Sequence, residues 1–485
     1  MKGVEEMEDV EMKRNCERKL EVLMWGYFPG VSTQQSSLNS PASVRFPEDM
    51  LAAGDSWKDV CDGGCGFGMA IAASGKVITW GSADDQGQSY LASGKHGTPE
   101  SYPLPTNDPI VKAVAGWAHC VSITDREVYT WGWKESVPSG WTSMKRYDDD
   151  TSTKQSSAVT EQVTGSQSSN GLKSMAGSVS FSNVKKSGDE NIKRRRLEVQ
   201  PDDEASLLAD ETLSMPPCLV NLEPGVKIAS VAAGGRHTLA LSDVGLVWGW
   251  GYGGDGQLGL GSRMKVVAFP QLIPCIVPSS SEEDGSTMIH QESVTKGGKR
   301  FKSMGNYVKG IACGGRHSAV VTDAGVLLTF GWGSYGQCGQ GNTDDSLRPT
   351  CVSSLLGTEI EAVAAGLWHT VCICADGRVH AFGGNQFGQL GLGTNSERSE
   401  VVPKLLDASV LENKKAKTVS AGARHSAILT GDGEIFSWGW NKYGQLGLGD
   451  VIDRSTPTPV ATLNYLPKKI ACGWWHTLSL CEPTT

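Results

Sequence analysis

The 485-residue sequence has no run of about 18 apolar residues free of glycine and charge, so it predicts no transmembrane helix. Its first residues, MKGVEEMEDVEMKRNCERK, contain no apolar segment of the kind that a secretory signal needs. The 13 cysteines are scattered, with no CxxC pair and no histidine at zinc-ligand spacing. These absences exclude the common zinc motifs and predict reduced, buried thiols. We therefore expect a protein of the cytoplasm or the nucleus that binds no metal or cofactor.

The chain also lacks a large excess of positive or negative charge. The 44 Lys and Arg residues against 53 Asp and Glu residues give a formal net charge of −9, and only 20% of the chain is charged. A mildly acidic chain is poorly suited to coating nucleic acid, so we do not expect direct DNA binding by the whole surface. Apolar residues make up 39% of the chain, which is enough for a large core, while glycine (60 residues) and tryptophan (15 residues) are unusually frequent.

A repeated pattern organises the chain. Gly-x-x-His followed by alternating apolar residues begins at Gly116, Gly234, Gly314, Gly366, Gly422 and Gly473, and a degraded copy at Gly64 has Phe67 in place of the histidine. An aromatic residue followed by glycine comes next, at Trp80, Trp131, Trp248, Phe330, Phe382 and Trp438. Most copies then show Gly-Gln-Leu-Gly or a variant of it, and undisturbed periods are 51 to 56 residues long. Such periods are typical of repeat architectures.

Each repeat has the pattern of β-strands. His425 begins one apolar run, Gly433 marks a tight turn, and a second run ends at Trp438, as in a β-hairpin. No helical period of 3.6 residues persists, so we expect about four antiparallel strands per repeat, stacked radially. The last repeat stops before its aromatic-Gly pair, and Trp25-Gly26 supplies the missing half. The sequence therefore predicts an all-β, seven-bladed propeller that is closed by an N-terminal strand.

These phased motifs resemble the regulator of chromosome condensation repeat family, whose members are seven-bladed propellers. The resemblance covers residues 22–133 and 216–482, and the forms GGRHT, GARHS and GWWHT are similar to the plant branch that includes the ultraviolet-B receptor. In that receptor, Gly-Trp-Arg-His-Thr stands in three successive blades. Here Gly235, Gly315 and Ala423 replace the tryptophans, so the receptor's tryptophan cluster is missing.

Two insertions divide the predicted ring. Residues 1–21 form an acidic tail, 22–133 the first part of the propeller, and 216–482 its second part, which contains a flexible loop at 278–304. The polar segment 134–215 has few aromatic residues, and we expect it to be disordered. Its basic residues resemble a nuclear import signal: Lys185, Lys186, Lys193, Arg194, Arg195 and Arg196. The alternative is an ordinary solvated run of charge.

The repeated residues predict structure rather than chemistry. Segments at Gly331–Gly336 and Gly249–Gly254 match GxGxxG, but they lie inside a β repeat where a dinucleotide site needs a following helix. A histidine that occurs once per blade is expected to be buried and to bond a neighbouring backbone group. Trp80, Trp131, Trp248 and Trp438 are expected to pack between blades. We predict no catalytic residues.

Function is sought where the repeats differ, at the two variable positions of Gly-x-x-His. They place seven candidate protein-binding residues on one face: Trp117, Arg236, Arg316, Trp368, Arg424, Trp474 and Trp475. Arginine beside tryptophan favours cation–π contacts and forked binding of carboxylates. The alternative is that these arginines pair with Asp or Glu on the same face.

These observations predict a non-catalytic nuclear scaffold that binds proteins, with histones or other chromatin proteins as candidate partners and gene expression as the regulated process. The resemblance implies one alternative, guanine-nucleotide exchange on a Ran-type small GTPase, because the family's founding member has that activity and docks on nucleosomes. A second alternative is photoreception similar to that of the ultraviolet-B receptor. The family resemblance and the absence of a membrane segment predict protein partners rather than lipids.

Overall fold

A computed structural model describes residues 19–27, 37–81, 92, 98–138, 214–274, 307–393, 398–411 and 413–484 of the chain, all within one compact unit. Its strands form seven four-stranded antiparallel sheets, which confirms the seven-bladed propeller. The predicted insertions fall largely outside the described residues, as do all six basic residues of the predicted import signal.

The seven sheets are numbered as blades along the chain. Blade 1 comprises β3 (Trp57–Val60), β4 (Phe67–Ala72), β5 (Val77–Gly81) and β6 (Glu100–Ser101). Blade 2 comprises β7 (Lys112–Ala115), β8 (His119–Ile123), β9 (Val128–Trp133) and β10 (Ser214–Leu219). Blade 3 comprises β11 (Ile228–Ala233), β12 (His237–Ser242), β13 (Val247–Gly253) and β14 (Met264–Leu272).

Blades 4 to 6 follow the same order. Blade 4 comprises β15 (Val308–Cys313), β16 (His317–Thr322), β17 (Leu327–Gly331) and β18 (Ser346–Cys351). Blade 5 comprises β19 (Ile360–Ala365), β20 (His369–Cys374), β21 (Val379–Gly383) and β22 (Glu400–Leu405). Blade 6 comprises β23 (Ala416–Ala421), β24 (His425–Thr430), β25 (Ile435–Gly439) and β26 (Arg454–Val460).

Blade 7 joins the two ends of the chain. It comprises β27 (Tyr465–Cys472), β28 (His476–Pro483), β1 (Glu21–Tyr27) and β2 (Ser37–Val44). Strand β1 pairs with β28 in antiparallel register from Glu21 opposite Cys481 to Gly26 opposite His476. The predicted closure by an N-terminal strand is therefore confirmed. The helices described are short: α1 (Glu48–Ala52) and 3-10 turns at Lys134–Ser136, Ser353–Leu355 and Ala408–Leu411.

One aromatic residue per blade packs against the neighbouring blade. Trp25 lies in a cluster with Ala427 and Leu429 of blade 6, and Trp80 lies in a cluster with Ala471 and Leu478 of blade 7. The two indoles are 0% and 1% exposed. Burying rings of this size removes a large apolar area from water at each junction, which stabilises the ring of blades.

The hairpin register corrects the assignment in blade 3. In blade 4, His317 pairs with Gly331 and Ser318 with Phe330. In blade 3, His237 pairs with Gly251 and Thr238 with Trp250, so Trp250 rather than Trp248 occupies the repeated aromatic position. The sequence Trp248-Gly249-Trp250-Gly251 offers two aromatic-Gly pairs. Only the pairing of the strands distinguishes them, and the positive φ of Gly251 (95°) matches that of Gly331 (109°).

The repeated histidines bond a side chain rather than the backbone group expected from the sequence. The Nε2 atoms of five of them lie 2.8–3.0 Å from a hydroxyl of the next blade, in the pairs His119–Thr238, His237–Ser318, His317–Thr370, His369–Ser426 and His425–Thr477. Burial lowers the pKa of these imidazoles, to about 3 for His317. The histidines are therefore neutral structural links between blades, as their single occurrence per blade indicated.

Candidate functional site

The variable positions of Gly-x-x-His and the residue after each aromatic-Gly pair are joined through the backbone. The Trp332 N–H donates to the Arg316 carbonyl at 2.9 Å, and the Trp440 N–H donates to the Arg424 carbonyl at the same distance. Gly331 makes this approach possible, since a Cβ atom there would stand 2.6 Å from the Arg316 carbonyl oxygen. The second variable residue and the residue after the aromatic-Gly pair are thus brought together on one face of the propeller.

Aromatic rings and arginines form a continuous band across blades 4 to 7 of this face. We call it the aromatic–arginine band, and its members are Arg316, Trp332, Tyr335, Trp368, Phe387, Arg424, Trp440, Tyr443, Trp475 and Tyr27. Arg316 lies 5.2 Å from the Trp332 ring centroid, and Trp332 lies 6.4 Å from Trp368. Tyr335 stacks on Trp368 at 5.0 Å. These contacts are within the range of favourable cation–π and aromatic pairs.

Arg424 is the most enclosed cation of the band. Its guanidinium carbon lies 4.8 Å from the Phe387 ring centroid, 5.4 Å from Trp440 and 5.5 Å from Trp368. Its Nε atom is buried and has no hydrogen-bond partner among the described residues. Burial lowers the pKa of this guanidinium, which stays protonated because arginine titrates far above neutral pH. The Nε–H donor of Arg424 therefore lies among aromatic rings without an acceptor from the described residues.

The band continues into blade 7. The Trp440 ring lies 5.3 Å from Trp475 and 5.4 Å from Tyr443. Tyr443 in turn lies 4.8 Å from Tyr27 of the closing strand β1. Predicted residues Trp368, Arg424 and Trp475 are thus linked through Trp440, which was not among the predicted residues.

A second group lies at the first variable positions. The Trp117 ring of blade 2 lies 5.8 Å from the Trp474 ring of blade 7, although blade 1 lies between these two blades around the ring. Each N–H donates across a blade boundary at 3.0 Å, from Trp117 to Gly234 and from Trp474 to Gly64. Trp117 is 49% exposed, whereas Trp474 is 8% exposed. Trp117 is therefore the tryptophan of this pair that a partner protein could contact.

The remaining arginines differ in their partners. Arg236 is exposed and lies 5.1 Å from the Trp133 ring centroid. Arg316 Nε lies 3.8 Å from Asp255 Oδ2, and burial raises the pKa of that carboxyl while Arg316 opposes the rise. Among the described residues, neither Arg236 nor Arg424 has a carboxylate within 4.0 Å. Pairing with an acid on the same face thus holds for one of the three arginines.

Some of the residues that were not predicted share a repeated position, immediately before Gly-Gln. It contains Asp255, Tyr335, Phe387 and Tyr443 in blades 3 to 6. In the first three cases this side chain faces the second variable residue of the next blade, in the pairs Asp255–Arg316, Tyr335–Trp368 and Phe387–Arg424. The residue type at this position varies between repeats, as at the variable positions of Gly-x-x-His, and this variation is the signal in the sequence that indicates it.

Other kinds of site are not seen in the described part of the chain. The two GxGxxG segments lie at the ends of β13 and β17 and lead into turns, so neither opens a helix. No group of three or more potential metal ligands occurs among the residues that the structure describes. Within the same ranges, no helix has the length and hydropathy that a membrane crossing needs.

Comparisons with known proteins agree with this architecture. The family model described as "RCC1-like domain" matches residues 187–483. The ultraviolet-B receptor UVR8 of Arabidopsis thaliana is 29% identical over 414 residues, which span 84% of this chain and 82% of the receptor.

Two solved structures share the fold. Prp20p of Saccharomyces cerevisiae, studied for its binding to Gsp1p and histones, has a TM-score of 0.66 at 18% identity and covers 97% of this chain and 93% of its own. Human WBSCR16 has a TM-score of 0.66 at 20% identity, covering 96% of this chain and all of its own. At these identities the likeness concerns the fold.

Proposed function

Because this chain belongs to the RCC1-like domain family, we propose that it is a non-catalytic protein-binding scaffold of the nucleus. The proposed docking surface is the aromatic–arginine band together with Trp117 and Arg236. Members of the family are propellers, and a propeller face offers a broad, rigid surface on which a partner can dock. The proposal assigns the binding energy to residues that differ between blades, since the repeated residues are used to build the ring.

The observation that supports this proposal most is the state of Arg424. Its guanidinium lies over three aromatic rings, and no carboxylate lies within 4.0 Å of it among the described residues. An arginine whose plane is fixed by stacking loses little freedom when it binds a carboxylate in forked geometry. We therefore propose that the partner presents an acidic segment with an adjacent apolar or aromatic side chain.

Chromatin is the proposed location of that partner. Yeast Prp20p shares the fold and is described as binding histones. The basic residues at 193–196 supply a route into the nucleus in this proposal. An acidic surface of a histone complex, or of a protein bound to it, fits the two arginines that lack a carboxylate partner among the described residues.

Binding of purified nucleosomes by the full-length protein tests the proposal. We expect Arg424→Ala to weaken binding at least tenfold, because truncating an arginine that is a hot spot of an interface costs about 2 kcal/mol or more. Arg236→Ala should have a smaller effect. A matched control replaces Lys58, Lys265 and Lys417, three exposed cations outside the band, with alanine. If the control and Arg424→Ala weaken binding equally, the attraction is non-specific; if neither changes it, the face is not the site.

Nucleotide exchange is the alternative that the comparisons favour, since Prp20p is described as binding Gsp1p. Release of labelled GDP from a purified Ran-type GTPase separates the two functions. We expect release at the intrinsic rate in the presence of micromolar protein. Acceleration well above that rate would replace the scaffold proposal with that of an exchange factor.

Photoreception is the second alternative, since the ultraviolet-B receptor is similar over most of its length. The first variable positions beside the three arginines hold Gly235, Gly315 and Ala423 rather than tryptophan. We therefore expect gel filtration to give the same elution volume before and after ultraviolet-B irradiation. A shift to smaller size on irradiation would support photoreception.

A further inference from the structure

A narrow cavity of about 140 Å³ lies on the axis of the propeller, where the inner strands of all seven blades meet. Its volume is close to the ~150 Å³ of cavities known to take up a benzene molecule. The space therefore suits a ligand of about six to eight non-hydrogen atoms. This cavity is separate from the proposed docking surface, and Trp474 lines its end at that face.

The wall of the cavity has two chemically different sides. Blades 3 to 5 supply an apolar side of small and branched residues, including Val231, Ile311 and Val363. The opposite side contains Asp62 of blade 1, Lys112 of blade 2 and Ser420 of blade 6. A ligand that fits both sides has one charged end and one aliphatic end.

Lys112 has donors to spare. Its Nζ donates to Ser230 Oγ at 2.7 Å, and no carboxylate lies within 4.0 Å of it among the described residues. Burial lowers the pKa of this ammonium, and Asp62 partly opposes the decrease. An ammonium carries three N–H donors, so two remain beyond the bond to Ser230.

Asp62 is oriented by its neighbours. Ser420 Oγ donates to Asp62 Oδ1 at 2.7 Å, and the same hydroxyl oxygen accepts the Cys472 N–H at 2.8 Å. The serine proton is therefore committed to the carboxylate. Among the described residues, the second carboxylate oxygen, Oδ2, has no hydrogen-bond partner.

The two other charged groups of this region satisfy each other. Lys469 Nζ lies 2.6 Å from Asp59 Oδ1. Lys112 and Asp62 are thus an ammonium and a carboxylate that line one cavity without forming an ion pair with each other. A ligand with both an anionic and a cationic group could bridge them.

We propose that the axial cavity binds a free aliphatic α-amino acid of about the size of alanine to valine. Its carboxylate would bond Lys112, its ammonium would bond Asp62, and its side chain would lie along the wall formed by Val231, Ile311 and Val363. A peptide is excluded because its free ammonium and its free carboxylate belong to different residues. Access is from the end opposite Trp474, where half-buried Lys112 begins strand β7.

Isothermal titration of the full-length protein with L-valine tests this proposal. We expect saturable binding that weakens at least about tenfold for isobutylamine, which lacks the carboxylate, and for isovalerate, which lacks the ammonium. Lys112→Met and Asp62→Asn should each produce a similar loss. Lys309→Met is the matched control, because Lys309 pairs with Glu361 outside the cavity, and it should leave the affinity unchanged.

A further variant tests the cavity even if the variants that change a charge do not fold. Ala364→Leu fills the cavity from its apolar side and keeps both charges, so it should abolish binding while the melting temperature shows a folded protein. The proposal is overturned if neither alanine nor valine gives a saturable signal up to about 10 mM. It is also overturned if isovalerate binds as tightly as valine, or if folded Lys112→Met retains the wild-type affinity.

Discussion

His317 Nε2 lies 2.9 Å from the hydroxyl of Thr370, which belongs to the next blade. The Thr370 hydroxyl donates to the carbonyl oxygen of Gln337 at 2.8 Å, so its proton is committed. His317 is therefore the donor, with its hydrogen on Nε2. Blade 4 thus holds a hydroxyl of blade 5 from two sides, with the histidine of Gly-x-x-His and the glutamine that follows Gly336. Equivalent hydroxyl-to-carbonyl bonds join Ser318 to Gln257 and Ser426 to Gln389.

His317→Phe should lower the free energy of unfolding at pH 7 but not at pH 5. Loss of the bond to Thr370 costs about 1 kcal/mol. The pKa of folded His317 is about 3, below the value of about 6.5 for an unfolded histidine. Unfolding then takes up a proton between these values, so the wild type loses stability as pH falls through 6.5. Phenylalanine has no such loss, and Phe67 occupies this position in blade 1.

Urea unfolding at pH 7 and pH 5 measures this difference. At pH 5 we expect the variant to be at least as stable as the wild type. Proton uptake by His317 on unfolding lowers the stability of the wild type by about 2 kcal/mol at this pH, and the variant has no such loss. An equal cost at both pH values would contradict a neutral, buried His317.

Gly68→Ala should destabilise the propeller. A Cβ atom at this position would stand 2.3 Å from the Trp80 ring, which packs between blades 1 and 7. Relieving that overlap moves a buried indole, so we expect a cost of about 1–3 kcal/mol and a lower melting temperature. Gly431→Ala is the control, because a Cβ atom there meets nothing within 4 Å, and its melting temperature should change little. Equal melting temperatures for the two variants would refute the overlap.

Trp25→Ala should lower stability by about 3–5 kcal/mol, as expected for removal of a fully buried ring. Trp25 is 0% exposed and connects the closing strand to blade 6. Deleting residues 1–27 removes β1 entirely and leaves β28 paired on one side only, with β27, so the protein should melt at a lower temperature and resist protease less. Deleting residues 1–18 is the control, and a matching loss of stability in that variant would show that closure is not the cause.

Replacing Lys193, Arg194, Arg195 and Arg196 with alanine should lower the nuclear fraction of a fluorescent fusion without changing the melting temperature of the protein. The reason is that import depends on accessible positive charge, whereas the described blades do not include this segment. Deleting residues 150–205 should have the same two effects. A protein that stays nuclear after both changes, or that melts many degrees lower, would contradict the division into a folded ring and a separate import segment.

The sequence alone determined the number of blades, their closure and the face on which to search. Phased copies of Gly-x-x-His and the Trp25-Gly26 half-repeat required seven units joined at the two ends of the chain. Each hairpin requires a glycine with positive φ and a buried aromatic ring, so these residue types recur at the same positions of the repeats. The arginines and tryptophans at the variable positions of Gly-x-x-His differ between repeats, which distinguishes them from these structural residues.

Tertiary structure decided which residues meet across blades. The register of β12 and β13 selected Trp250 over Trp248, and only the packing of blade 4 on blade 5 showed that His317 bonds a hydroxyl. Phe387 and Trp440 enclose Arg424, and Lys112 and Asp62 line one cavity, although each set comes from separate repeats. Hairpin rules act between neighbours in the chain, whereas these contacts depend on how whole blades are placed around the axis. No local pattern of residues encodes that placement.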